Sequence, residues 1–195
     1  MPKSDNTNAE AVGAGRFITD YQMAHLRATM LEEPFNIYKH NPLQLVTSPG
    51  QPPGTSGRLI RRRLGQLVLF EECKWVGILS AKDHYVFAVI KVKNTVMGGR
   101  WLKCKVFDSL DEYIPSEVYR HALSTALTVP VSVEVISLNW QTQSKSVWAV
   151  NSCGIYACIL EYKYLRNRCK HPELEAPPPN SCLRAARIFV KQFAD

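Results

Sequence analysis

Apolar and polar positions change their spacing several times along the chain, and each change marks an element. In FITDYQMAHLRATMLEE (17–33), Met23, Leu26, Met30 and Leu31 recur at helical spacing, and Thr19 or Asp20 can cap the start. NPLQLVTSPGQPPGTSG (41–57) reads as a loop from its Pro, Gly and Ser content. RLGQLVLF (63–70) and KWVGIL (74–79) predict short buried strands. HYVFAVIKVK (84–93) and RWLKCKVFDS (100–109) predict two further strands joined by the glycine-bearing turn NTVMGG. SLDEYIPSEVYRHALSTAL (109–127) contains a helix whose first turn suits Pro115 and Ser116, with Val118, Ala122 and Leu123 on one face. Val131, Val133 and Val135 alternate in a strand. NSCGIYACILEYKYLRN (151–167) then places Ile155, Ile159 and Tyr162 along one face of another helix. HPELEAPPPN breaks the chain before an amphipathic helix in SCLRAARIFVKQFAD (181–195). The pattern is that of an α+β fold with helices flanking a mostly antiparallel sheet.

Composition narrows this little. At 195 residues, 46% hydrophobic and 21% charged, the chain is ordinary globular material with enough length for one substantial core. The expected organisation is a disordered tail over 1–15, polar and small, followed by a single domain over 16–195. No apolar run reaches the length of a membrane span and the first residues lack the apolar segment of a signal peptide. These features predict no membrane association and a cytoplasmic or nuclear location, with a viral protein or one delivered into a host cell also fitting.

Six cysteines, Cys73, Cys104, Cys153, Cys158, Cys169 and Cys182, are expected as reduced thiols in that setting. Cys169, His171 and Cys182 match no zinc-site template, so no metal and no cofactor is expected. The net charge of +7 is concentrated in Arg61-Arg62-Arg63, RWLKCK and KYLRNRCK. Such a basic surface would attract nucleic acid or an acidic protein, or simply remain solvated.

The hairpin allows a geometric expectation. A turn centred near residue 96 sets His84 opposite Asp108, and directly paired residues bring their Cβ atoms to roughly 4.5–5.5 Å. The carboxylate can then orient the imidazole. A one-residue slip would put the two on opposite faces. Cys153 opens a helix, where the dipole favours a thiolate and the first amides point outward without intrahelical partners. A buried Cys153 beside a purely structural His84–Asp108 pair is the plain alternative.

The order His, Asp, Cys, carried by DHYVFAVI, VFDSL, NWQTQ and NSCGIYAC, resembles the clan CE cysteine proteases. These are the ubiquitin-like-protein and SUMO-specific proteases and the adenovirus maturation protease. FITDYQM also resembles the stretch that opens a helix early in that family, so the likeness spans residues 16 to 165. The resemblance implies a papain-like, adenain-like fold with the nucleophile at the N-terminus of a central helix. It implies Cys153 as nucleophile, His84 as general base then acid, and Asp108 as orienter. It further implies an oxyanion hole built from the Cys153 amide and a glutamine. Val147 and Ser146 occupy the glutamine's usual positions, which leaves Gln143, favoured here, or Gln141. Tyr85 stands where the family has a tryptophan roofing a narrow substrate channel, and Gly154 and Trp140 complete the expected substrate-binding set.

On this reading the chain is a cysteine endopeptidase or isopeptidase. It would cleave Gly-containing sites in a protein substrate, either a ubiquitin-like modifier or a viral-type polyprotein precursor. A clan CE effector-type acetyltransferase is one alternative. A catalytically weak basic binding module that retains the fold is another.

Overall fold

In the computed structural model, the structure describes residues 16–47, 50–70, 73–111, 113–166 and 170–193. The expected tail over 1–15 and the zinc candidate Cys169 lie outside the described residues. Chain contacts gather the rest into two compact units. One comprises residues 16–41, 109–111 and 138–193; the other comprises residues 42–108 and 113–137.

The second unit is built on a five-stranded sheet in chain order: β1 (Leu43–Gln44), β2 (Lys74–Ala81), β3 (His84–Asn94), β4 (Arg100–Asp108) and β5 (Val131–Ser137). The hairpin strands β2, β3 and β4 pair antiparallel, whereas β1–β2 and β4–β5 pair parallel. The sheet is therefore mixed, with antiparallel pairing in its centre and a parallel strand added at each edge. The reason is topological: neighbouring parallel strands need a crossover, and helices supply both. Helix α3 (Thr55–Leu64) lies between β1 and β2 in the chain, and α4 (Ser116–Leu127) lies between β4 and β5.

The segment expected as a strand at 63–70 is the end of α3 followed by a 3₁₀ turn, Gly65–Leu69. Ile60, Leu64 and Leu67 fall four and three residues apart, so a helical backbone buries all three, while Arg61 and Arg62 stay exposed. That pattern outweighs the short aliphatic run. Leu43, Leu79, Ala88, Ile90, Leu102, Cys104 and Val106 then form one core with Ile60, Leu64, Tyr119 and Leu123 of the two helices.

The first unit is helical. It contains α1 (Asp20–Met30), the single turn α2 (Ile37–His40), the single turn α5 (Trp140–Gln143), α6 (Cys153–Leu165) and α7 (Asn180–Lys191). Thr19 caps α1 through a reciprocal box: Gln22 N–H donates to Thr19 Oγ1 at 3.2 Å, and Thr19 N–H donates to Gln22 Oε1 at 2.9 Å. The Gln22 amide also donates to Val190 O of α7 at 3.1 Å. Arg27 of α1 reaches Glu161 of α6 with two bonds of 2.7 and 2.6 Å, both side chains being buried. Among the described residues no helix is long and apolar enough to cross a membrane.

Candidate active site

His84 begins β3 immediately after a two-residue turn. Ala81 pairs with His84, and Lys82 and Asp83 between them take φ of 49° and 60°. Positive φ at both central residues twists the hairpin as its strands require, without the usual glycine. The next hairpin is out of the expected register by two residues. Its pairs run from Phe87↔Phe107 to Asn94↔Arg100, which centres the turn on Met97. Gly98 takes a φ of 79° there, and Thr95 N–H donates to Gly99 O at 2.7 Å.

Continuing that register sets Val86, not His84, opposite Asp108. His84 is the diagonal neighbour, still on the same face because the offset is even. The two side chains meet: His84 Nε2 lies 2.7 Å from Asp108 Oδ1, and both residues are buried. With Nε2 directed at the carboxylate, Nδ1 is the ring nitrogen turned the other way. The Tyr113 ring lies 5.0 Å from the imidazole, tilted by 56°, and is 60% exposed. Tyr85, expected to line a substrate channel, is only 8% exposed. Sequence reasoning missed Tyr113 because it falls in an irregular stretch with no periodicity to mark its face.

In the helical unit, Cys153 is the first residue of α6 and is 3% exposed. The chain enters it through Asn151, whose φ of 53° is left-handed, and through the fully buried Ser152. Ser152 is held from every side. Its hydroxyl donates to Trp148 O at 2.6 Å and accepts from Arg187 Nη2 at 2.7 Å. Its N–H donates to Gln141 Oε1 and to Ala149 O, each at 3.3 Å. Gln141 in turn donates from Nε2 to Ser109 Oγ at 2.7 Å, and its N–H donates to Ser109 O at 3.0 Å.

The favoured glutamine, Gln143, sits exposed at the end of α5, with its N–H donating to Asn139 O. Gln141 is the one that reaches the Cys153 loop. A one-turn helix explains the choice, since residues two apart on a helix face different directions.

Two other expected substrate-binding residues serve packing here. A Cβ on Gly154 would lie 2.8 Å from Met23 Sδ and 2.9 Å from Ile18 Cδ1, so glycine lets those side chains press against the start of α6. Trp140 is buried with its ring 5.6 Å from that of Tyr156. Elsewhere, burial pushes the Cys104 thiol up to about 12 and raises that of Cys158 further, which keeps both neutral. Among the described residues no three metal-type donors are gathered.

No family model matches the chain, and no curated protein matches it in sequence. Among solved structures it is similar to one described as the crystal structure of the de-sumoylating protease. The identity is 9% and the TM-score 0.46, over 96% of this chain and 86% of that one.

Proposed function

We propose that the chain is a cysteine peptidase acting on protein substrates, with Cys153 as nucleophile, His84 as general base and then acid, and Asp108 as the orienting carboxylate. The observation that supports this most is the buried 2.7 Å contact between His84 Nε2 and Asp108 Oδ1. A carboxylate bonded to one ring nitrogen fixes the tautomer and the ring plane, and so prepares the other nitrogen for proton transfer. The start of α6 supports it from the other side: a thiol at the first helical residue has its own amide and the helix dipole beside it. Residues 16–195 act as one catalytic domain on this reading.

The chemistry then runs in two halves. Cys153 Sγ attacks the scissile carbonyl while its proton passes to His84, and the carbonyl oxygen becomes an oxyanion. The Cys153 N–H and the Gln141 side chain supply donors to that oxygen; an amide nitrogen carries two protons, and Ser109 takes one of those on Gln141. Collapse expels the amine, which takes the proton from His84, and leaves a thioester. Water attacks the thioester with His84 as base, and the acid product leaves as the thiol is restored. The substrate is a ubiquitin-like modifier or a viral-type precursor cut at a Gly-containing site. The aromatic surface beside the base is Tyr113, since Tyr85 is buried.

The test uses the full chain with an electrophilic Gly-Gly probe and Gly-Gly fusion substrates. Probe labelling is expected at Cys153, absent in Cys153→Ser. In His84→Ala and Asp108→Asn, turnover should fall by about a hundredfold or more, the scale of a lost general base. Labelling that persists in Cys153→Ser, or turnover untouched in His84→Ala, would overturn the reading.

A further inference from the structure

Helix α7 carries a side chain that reaches the nucleophile loop from 34 residues further along the chain. Arg187 is 2% exposed, and its two terminal nitrogens hold backbone and side-chain oxygens near Cys153 and at the entry to α1. Nη2 donates to Val150 O and to Ser152 Oγ, both at 2.7 Å, and Nη1 donates to Arg16 O at 2.8 Å. One planar guanidinium thus holds two points of a three-residue stretch that includes the left-handed Asn151. Arg184, one turn earlier on the same helix, lies 5.8 Å from the centre of the Trp148 ring, so α7 grips the loop at a second place. Ser152 also passes the constraint onward, because its hydroxyl bonds Trp148 O and its amide bonds Gln141.

We propose that Arg187 is a positioning residue: its fork sets the path of residues 150–152 and thereby the direction of the Cys153 thiol and amide. The inference rests on the cysteine-peptidase reading, to which it adds a residue that no motif marks. It also accounts for the use of arginine at a buried site. A lysine ammonium is a point charge and cannot hold Val150 O, Ser152 Oγ and Arg16 O in one plane. Burial is the main influence on the guanidinium and holds it below its ordinary range. Cys153 and Tyr156, the titratable groups it faces, act in the opposite direction.

The experiment compares Arg187→Lys, Arg187→Met and Ser152→Ala in the full chain. It reads kcat and KM on a Gly-Gly fusion substrate, and the iodoacetamide rate of Cys153 relative to exposed Cys182, resolved by peptide mass spectrometry. Thermal melts report folding. Arg187→Lys should retain the fold and lose about tenfold or more in kcat with KM little changed, the size of effect that a small misplacement of a reacting group produces. Its Cys153-to-Cys182 alkylation ratio should fall in parallel. Ser152→Ala should show a smaller loss in the same direction, and the double variant Arg187→Lys/Ser152→Ala should be no worse than Arg187→Lys, since both break one network.

A wild-type kcat and alkylation ratio in Arg187→Lys, measured well below its melting temperature, would overturn the proposal and leave Arg187 a stabilising residue only. Should Arg187→Met not fold, Arg187→Lys and Ser152→Ala decide. Failure of the underlying reading has a different signature: the wild-type chain itself would then neither turn over substrate nor label at Cys153.

Discussion

Replacing Glu161 by leucine should be among the most damaging single changes in the helical unit. The carboxylate accepts from Arg27 Nε at 2.7 Å and from Nη2 at 2.6 Å, and both residues are buried. Arg27 also donates from Nη1 to His40 O, so the guanidinium ties α1 to α6 and to the end of α2. Burial alone would weaken the arginine's hold on its proton, but the charge and hydrogen bonds of Glu161 outweigh it and leave the guanidinium above its ordinary range. Glu161→Leu removes that compensation and keeps the buried cation. The expected cost is about 3–5 kcal/mol, the range for breaking one side of a buried pair. At roughly 2–4 °C per kcal/mol for a chain of this size, the melting temperature should fall by about 6–20 °C.

The double variant Arg27→Met/Glu161→Leu removes both charges and leaves only the His40 carbonyl unmatched. It should be destabilised by about 1–3 kcal/mol, the cost of one unpaired buried acceptor. Urea unfolding of the wild type, both single variants and the double variant closes the cycle, provided the slope with denaturant stays constant. A Glu161→Leu variant within about 1 kcal/mol of wild type would refute the reasoning. So would additive single-variant costs, because they would show the two charges to be independent.

Three further outcomes are expected. Gln141→Ala should lower kcat by about a hundredfold, the scale of one lost oxyanion donor, while Gln143→Ala should stay near wild type on the same substrate. Gly154→Ala should cost about 1–3 kcal/mol in urea unfolding, as overpacking does, because its Cβ would meet Met23 Sδ at 2.8 Å and Ile18 Cδ1 at 2.9 Å. His25 stacks between Phe35 and Phe193 at 3.8 and 3.9 Å, and burial lowers its pKa from 6.5. A depressed histidine is neutral in the fold and protonates more readily when unfolded. Its contribution is therefore complete above pH 6.5 and is lost as the pH falls through the folded value. Stability followed by urea unfolding from pH 7.5 to 5 should drop less in His25→Leu than in wild type.

What the sequence revealed divides along a physical line. Buried β-branched and aromatic runs and a glycine-bearing turn exposed β2 to β4, and period-two alternation exposed β5, because these signals are local to each strand. The contact between His84 and Asp108 was legible even though the register was not. A two-residue error preserves face parity, so a direct pair became a diagonal one still within reach of long side chains. Helix α3 and β1 were hidden together. Residues 41–57, which hold β1 and the first turn of α3, read as a loop from their Pro, Gly and Ser content, and 63–70 read as a strand, so the parallel pair β1–β2 and its crossover were out of view. The strand-helix-strand order that makes β4 and β5 parallel was on view, and deserved that reading. Tyr113 and Arg187 had no local signal, since their partners are set by loop paths and by a helix far along the chain.

The Cys-Gly pair shows why a motif and its cause need separating. Gly154 answers to packing, because Ile18 and Met23 occupy the space its side chain would take. Ser152, one residue before the cysteine, answers to hydrogen bonding: its N–H donates to Gln141 and its hydroxyl accepts from Arg187. The backbone on both sides of Cys153 is therefore fixed by contacts that involve neither the thiol nor a substrate. A donor used for electrostatic stabilisation is most effective when it needs no reorganisation as charge develops, and on the proposed reading the Cys153 amide would meet that condition through its neighbours. Conservative changes at Gly154 or Arg187 should then alter activity through the directions of the amide and the thiol together, even though the sulfur is still present.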